Sequence, residues 1–199
     1  MRNLFVIVFY ICIGSAFAQT ELLDSMGIIK SDEYTDIKLA LENKDKVVRL
    51  NLRKQKLKSF PMEILQFKNL QYLDLGKNSI EVLPDSIVSL KKLQYLNLSK
   101  NDLEVLPKNI GEMENLKYLW LGQNDISSLP FGFGRLEKLE FLDLWDNNID
   151  EFPLSMKDLT NLKTLDLRNI MISKTKQENL QAQIPKTKIY FSAPCNCGG

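Results

Sequence analysis

The chain has 199 residues, of which 44% are hydrophobic and 26% are charged, proportions that fit one folded domain and argue against disorder. Its formal net charge of +1 gives no broad positive field to hold nucleic acid, so we expect no nucleic-acid partner. The sequence contains no histidine, the commonest general base and a common metal ligand. We therefore expect a protein that is not an enzyme and that has no cofactor and no metal site.

The first eighteen residues have the three parts of a secretory signal. Arg2 gives a positive start, residues 4–13 are almost entirely apolar, and residues 16–18 have the small-x-small form of a signal-peptidase site. The apolar run is shorter than the roughly 20 residues that span a bilayer. We predict that residues 1–18 form a signal peptide and that the protein is secreted, periplasmic or at the cell surface, without stable membrane insertion. An uncleaved anchor is the alternative.

Residues 19–46 are predicted to form an N-terminal segment and a capping helix. Within residues 32–43, Tyr34, Ile37 and Leu41 share one helical face, and Ser31 is placed to be the N-cap. A cap is expected because the repeats that follow would otherwise expose the leucines of their first unit.

A 23-residue repeat begins at residues 47, 70, 93, 116, 139 and 162 and occupies residues 47–172. In the second unit Leu73 and Leu75 alternate with polar residues, which predicts a short strand with one buried face. Ile87 and Leu90 follow Pro84 and lie three residues apart, which predicts one helical or 3₁₀ turn. No unit can bury its leucines alone, so the units must stack into a solenoid.

An asparagine follows the strand of most units by three residues, where its amide can bond the backbone of the turn. When the units stack, these amides would form a ladder that satisfies otherwise unpaired groups. The predicted structural ladder is Asn78, Asn101, Asn124 and Asn147, with Gln55 at the same place in the first unit.

The pattern LxxLxLxxNxLxxLPxxIxxLxx over residues 47–172 resembles the leucine-rich repeat family. Its 23-residue form is similar to Ras-group and scaffold-type repeats and to exported bacterial repeat proteins. The resemblance implies an α/β solenoid, a leucine-rich-repeat arc with a parallel β-sheet on the concave face. It further implies short helical or 3₁₀ turns on the convex side, a helical N-cap and a helix–strand C-cap.

The C-terminal residues are predicted to close the solenoid. Residues 173–191 form the expected C-terminal cap, with a helix over 176–183, a break at Pro185 and a last strand over 188–191. Residues 192–199 form a tail with Cys195 and Cys197, which could pair with each other as a disulfide or link two chains in an oxidising compartment.

The resemblance also implies that solvent-facing strand positions of the concave side carry binding. The third position of the middle units is aromatic, and two tryptophans stand in units four and five, where other units have small, polar or charged residues. Unit five is also acidic. The predicted partner-binding residues are Tyr72, Tyr95, Tyr118, Phe141, Trp120, Trp145, Asp143 and Asp146.

These positions support one leading hypothesis and two alternatives. The leading hypothesis is an exported, non-catalytic module that binds a protein or peptide on its concave face. The first alternative is binding of a glycan or cell-wall polysaccharide by stacking on the same rings. The second is a structural unit that is cross-linked through Cys195 or Cys197.

Overall fold

The computed structural model describes residues 21–192, and the strands of this part form one parallel sheet in chain order. The predicted signal peptide, residues 1–18, and the cysteines Cys195 and Cys197 lie outside the described residues. The eight strands are β1 Glu33–Tyr34, β2 Arg49–Asn51, β3 Tyr72–Asp74, β4 Tyr95–Asn97, β5 Tyr118–Trp120, β6 Phe141–Asp143, β7 Thr164–Leu167 and β8 Lys188–Phe191.

The repeat spacing sets the register of the sheet. From β2 to β7 each strand residue pairs with the residue 23 positions later, so that Leu73 lies opposite Leu96 and Leu96 opposite Leu119. All three leucines are buried. In the three-residue strands β2 to β6 the central leucine therefore points into a continuous core, and the flanking residues lie on the concave side.

The convex side consists of short 3₁₀ helices, as the spacing predicts. In the second unit the Ile87 N–H donates to the Pro84 carbonyl at 3.0 Å, and the Leu90 N–H donates to the Ile87 carbonyl at 3.0 Å. Ile87 and Leu90 are buried, so each turn returns its apolar residues to the core. The 3₁₀ helices span Met62–Gln66, Asp85–Ser89, Ile110–Glu112, Phe131–Arg135 and Leu154–Asp158. The predicted solenoid is thus confirmed.

The asparagine side chains connect each unit to the one before it. Asn101 Oδ1 accepts from the Ile80 N–H at 3.0 Å, and Asn101 Nδ2 donates to the carbonyls of Leu75 and Leu98 at 3.1 and 2.9 Å. Leu98 belongs to the same unit as Asn101, whereas Ile80 and Leu75 belong to the preceding unit. Asn78, Asn124 and Asn147 make the same kind of bridge.

The N-terminal part differs from the expected single capping helix. Helix α1, Ser25–Lys30, comes first, and α2, Ile37–Glu42, follows β1. Ser31 ends α1 instead of capping α2, so its predicted role as an N-cap is wrong. Asp36 begins α2, because its carboxylate accepts from the N–H groups of Lys38 and Leu39.

The C-terminal part closes the core with a helix and a strand. Helix α3, Lys174–Gln183, begins at Ser173, whose hydroxyl accepts from the Lys176 N–H. Strand β8 then pairs in parallel with β7, and Leu180 of the helix is buried in the continuous hydrophobic core. No helix within residues 21–192 has the length and apolar character needed to cross a bilayer.

Candidate binding face

The tyrosines of the third repeat position form a continuous row because their strands pair in register. The rings of Tyr72 and Tyr95 lie 6.0 Å apart, and those of Tyr95 and Tyr118 stack at 4.5 Å with their planes 8° from parallel. At the first end of the row the Arg49 guanidinium lies 5.2 Å from the centre of the Tyr72 ring, within cation–π range. The row is therefore a packed surface on a rigid sheet.

Trp120 extends this row toward the C-terminal units. Its ring lies 6.0 Å from the Tyr118 ring, at an angle of 16°, and 5.4 Å from the ring of Phe141. All three side chains are half-buried, so part of each ring faces solvent. We call the rings of Tyr72, Tyr95, Tyr118, Trp120 and Phe141 the aromatic row.

Trp145 lies apart from the aromatic row. It follows β6 at the seventh repeat position, and its side chain is half-buried. Within residues 21–192 no ring contact joins it to another aromatic side chain. The structure therefore brings Trp120 together with the tyrosines and Phe141, but places the Trp145 ring separately.

The acidic end of the face is centred on Asp143. Burial is the main cause that raises the pKa of this carboxyl above its ordinary value, and the negative charge of Asp166 raises it further. The Trp145 N–H, which donates to Asp143 Oδ1 at 2.9 Å, and the Arg168 cation act in the opposite direction. Gly122 leaves room for this carboxylate, since a Cβ there would lie 2.7 Å from Asp143 Oδ2.

The other predicted acid, Asp146, lies at the loop edge of the sheet. Its backbone has a positive φ of 58°, and one carboxylate oxygen accepts from Gln123 Nε2 at 3.3 Å. Asp146 therefore borders the face, whereas Asp143 and Asp166 lie on its strands. Arg168 pairs with Asp166 at 2.5 Å and offsets part of the negative charge.

The opposite end of the face is basic, and its arginines have partners. Arg49 pairs with Glu33 at 2.9 Å, and Arg53 lies 3.5 Å from the buried carboxylate of Asp74. Beyond them, the eighth position carries lysine in the first three units, always with positive φ. These residues are Lys54 at 60°, Lys77 at 56° and Lys100 at 59°.

The N-terminal segment lies on the concave face, which the sequence did not reveal. The Leu23 N–H donates to Gln71 Oε1 at 2.8 Å, and the Leu23 carbonyl accepts from Gln94 Nε2 at 2.9 Å. The hydroxyl groups of Ser25 and Tyr95 are 2.5 Å apart. Residues 21–30 thus cover the first part of the face and leave its C-terminal part open.

The burial of the second repeat position shows how far this cover extends. Val48, Gln71 and Gln94 of the first three units are 4%, 0% and 1% exposed. The corresponding Lys117 and Glu140 are half-buried, and Lys163 is exposed. The second repeat position is uncharged in the first three units and charged in the last three, and this change along the sequence could have indicated how far the cover extends.

The described part of the chain contains no group of three or more histidine, cysteine or acidic residues that could hold a metal ion. The concave face has aromatic rings in the middle, acids at one end and a chain segment over the other. Extended concave surfaces of this kind are what repeat solenoids use for binding.

Comparison with known proteins agrees with this architecture. A solved leucine-rich repeat protein of Leptospira interrogans is 30% identical, with a TM-score of 0.62, over 82% of this chain and 53% of that one. Internalin C2 of Listeria monocytogenes is 24% identical, with a TM-score of 0.63, over 74% of this chain and 62% of that one. The chain thus spans about half of the Leptospira protein. No curated protein matches it.

A model of a leucine-rich repeat region matches residues 46–121 and residues 104–182, which together cover more than half of the chain. The matched range includes all six strands of the repeat, from β2 to β7. The sequence pattern, the register of the sheet and this match agree, and the chain belongs to the leucine-rich repeat family.

Proposed function

We propose that this protein is an exported, non-catalytic module that binds a protein or peptide on its concave face. Leucine-rich repeats commonly mediate binding between proteins, and the family is typically non-catalytic. The observation that carries the proposal is the aromatic row, in which Tyr118, Trp120 and Phe141 are packed side by side and remain partly open to solvent. Rigid aromatic anchors of this kind dominate the energy of protein interfaces.

The charges around the row give the proposed partner a preferred orientation. Asp143 lies opposite Trp120 on the neighbouring strand, and Asp166 lies opposite Asp143, so a partner with a basic residue near an apolar contact fits this end best. Charge complementarity at this position would mainly speed association and fix the register of binding.

Recovery of the native partner by the purified protein tests the proposal. Trp120→Ala removes the largest ring of the row, and we expect it to weaken binding by about tenfold or more. Phe131→Ala is the matched control, because Phe131 is an aromatic side chain on the convex side and is 82% exposed. Equal recovery of the partner by the two variants would show that the aromatic row is not the binding site. Trp145→Ala, tested separately, shows whether the outlying ring also contributes.

A second candidate ligand is a glycan. A sugar would contact Tyr95, Tyr118 and Trp120 at their ring edges and at the tyrosine hydroxyls, because the ring faces stack on one another. Titration of tryptophan fluorescence with a panel of cell-wall and surface polysaccharides separates the two ligand classes. A flat response to every polysaccharide would eliminate the glycan.

Export and tail chemistry are separate parts of the proposal. N-terminal sequencing of the protein from whole cells tests cleavage after Ala18, and an intact Met1 would contradict it. Migration of the full chain on a non-reducing gel tests a structural role for Cys195 and Cys197. A monomer band alone would exclude covalent linkage between chains.

A further inference from the structure

Gln71 and Gln94 are fully buried amides of the concave face, and the protein's own N-terminal segment is bonded to both of them. The two side chains bond each other, since Gln94 Nε2 donates to Gln71 Oε1 at 2.9 Å. Gln71 Oε1 also accepts a hydrogen bond from the Leu23 N–H, and Gln94 Nε2 donates one to the Leu23 carbonyl. Both main-chain polar groups of Leu23 are therefore bonded to glutamine side chains that immediately precede two adjacent strands, β3 and β4.

Two further contacts depend on the side chains of the segment. The Ser25 hydroxyl meets the Tyr95 hydroxyl, which ties the segment to the aromatic row. Three residues later Ile28 is 1% exposed, although it lies in a helix whose other residues are largely open to solvent. Arg49 Nη1 then donates to the carbonyl of Ile29 at 3.2 Å. Main-chain bonds, a hydroxyl contact and a buried aliphatic side chain are the elements of peptide recognition.

We propose that Gln71, Gln94 and Tyr95 form a peptide-binding site whose resident ligand is residues 21–30 of the same chain. The ligand class is a peptide with a hydroxyl side chain and, three residues later, an aliphatic one, as in Ser25 and Ile28. A partner segment of this type competes with the resident segment. The partner's role rests on the proposed function, whereas occupancy by residues 21–30 does not.

Tethering makes this competition unequal. A segment attached to its own site acts at an effective concentration of about 1 mM, so a free peptide must displace it. The apparent affinity for a free peptide falls by the fraction of molecules in which the site is open. A chain whose segment cannot dock therefore binds the free peptide more tightly than the wild type does.

The experiment uses the full chain and a labelled synthetic peptide of residues 21–30, with binding measured by fluorescence anisotropy. Ile28→Asp in the protein places a charge at the buried contact and releases the segment. Met26→Asp is the matched control, because Met26 is in the same helix and is 57% exposed. We expect the Ile28→Asp protein to bind the peptide about tenfold more tightly than the wild type and Met26→Asp. A peptide that itself carries Ile28→Asp should not bind.

Equal affinity of the three proteins, or no binding to the Ile28→Asp protein, would overturn the inference. Ile28 lies outside the continuous repeat core, so the repeats of the variant should still unfold in one cooperative transition near the wild-type midpoint. Hydrogen exchange in the wild type gives a second test that needs no variant. The Leu23 amide should exchange slowly because it is bonded to Gln71, and exchange at the rate of an unstructured peptide would exclude docking.

The result is independent of the partner-recovery experiment. If Trp120→Ala leaves partner recovery unchanged while the peptide still prefers the Ile28→Asp protein, the proposed function fails and the peptide site stands. If the peptide shows no preference while Trp120→Ala abolishes recovery, the aromatic row stands and the peptide site fails.

Discussion

Tyr95 and Tyr118 stack face to face, with ring centres 4.5 Å apart and planes 8° from parallel. The separation is close to the spacing of neighbouring strands, about 4.8 Å, so the stack follows from the register of β4 and β5 without distortion of the sheet. Each ring is supported by the next one along the solenoid. The aromatic row is therefore a continuous set of packed rings that follows the register of the strands.

Removal of one ring from the middle of the row should cost stability as well as contact area. We expect Tyr118→Leu to lower the free energy of unfolding by about 1 kcal/mol, because the ring loses its stacking with Tyr95 and its contact with Trp120. Tyr118→Phe keeps the ring and should change stability by less than about 0.5 kcal/mol. Urea unfolding followed by circular dichroism measures both values. Equal loss in the two variants would assign the effect to the hydroxyl instead.

Substitution of a buried asparagine of the ladder should lower the free energy of unfolding far more than substitution of an exposed asparagine. Asn101→Ala removes three hydrogen bonds and leaves buried backbone groups without partners, so we expect a loss of about 2–4 kcal/mol in the free energy of unfolding. Asn148→Ala changes an exposed residue with one long bond of 3.4 Å and serves as the control. Similar unfolding midpoints for the two variants would contradict a structural role of the ladder.

Gly132 and Gly134 of the convex side should differ sharply in how much an alanine substitution destabilises the protein, although they are only two residues apart. A Cβ on Gly134 would collide with the backbone carbonyl of Ser155 in the next 3₁₀ helix, whereas the nearest atom to a Cβ on Gly132 is 3.7 Å away. We expect Gly134→Ala to destabilise the protein by about 1–3 kcal/mol and Gly132→Ala to be nearly neutral. Thermal unfolding of both variants decides the point. A neutral Gly134→Ala would mean that the convex turns can separate freely.

The raised pKa of Asp143 predicts a pH-dependent effect of Asp143→Asn. Because the folded-state pKa is raised, the contribution of this group to stability is fully present below its ordinary pKa of 3.8. It is lost as the pH rises through the folded-state pKa. The amide variant avoids this loss, so its melting temperature relative to wild type should be higher at about pH 7 than at about pH 3.5.

Asp102→Asn is the control for this measurement, because it makes the same change at an exposed position. We expect its melting temperature relative to wild type to stay nearly constant between the two pH values. The same constancy in Asp143→Asn would show that burial of the Asp143 carboxyl has no energetic consequence.

Replacement of Lys77, the middle of the three lysines at the eighth repeat position, by asparagine should stabilise the protein. The cations of Lys54 and Lys100 lower the pKa of Lys77, which shows that the three charges disfavour one another. Lys77 also has a positive φ of 56°, a conformation that asparagine accepts more readily than lysine. We expect Lys77→Asn to raise the melting temperature, with Lys77→Gln in between because it removes only the charge. High salt should shrink the effect of Lys77→Gln, and an effect independent of salt would exclude charge repulsion.

The sequence was sufficient for the architecture because the same residue pattern recurs along most of the chain. The alternation around Leu73 recurs in six units, the proline before the turn in five and the asparagine after the strand in four, always at the same spacing. The caps have no such repetition. For this reason the helix over 32–43 was expected to begin at Ser31, whereas Asp36 begins a shorter helix after β1.

The sequence predicts which residues lie on the candidate face, but it does not predict which part of that face is covered. Strand register places Tyr95 beside Tyr118, and the repeat alone gives that register. The docking of residues 21–30 depends on contacts that span between 20 and 71 positions, such as that between Leu23 and Gln71, and no periodicity in the sequence predicts such contacts. Trp145 also could not be separated from Trp120 by spacing alone, since both occupy solvent-facing positions.

The bridges of the asparagine ladder have a consequence for how such a chain can change its length. Asn101 bonds its own unit and the unit before it, and Asn124 repeats this pattern one unit later. A duplicated unit inserted between them would find the same partners on both sides, so growth in steps of 23 residues requires no new contact. Each duplication would add one strand, about 4.8 Å, to the concave face. The resident segment at one end would stay where it is, while the acidic end moved farther away.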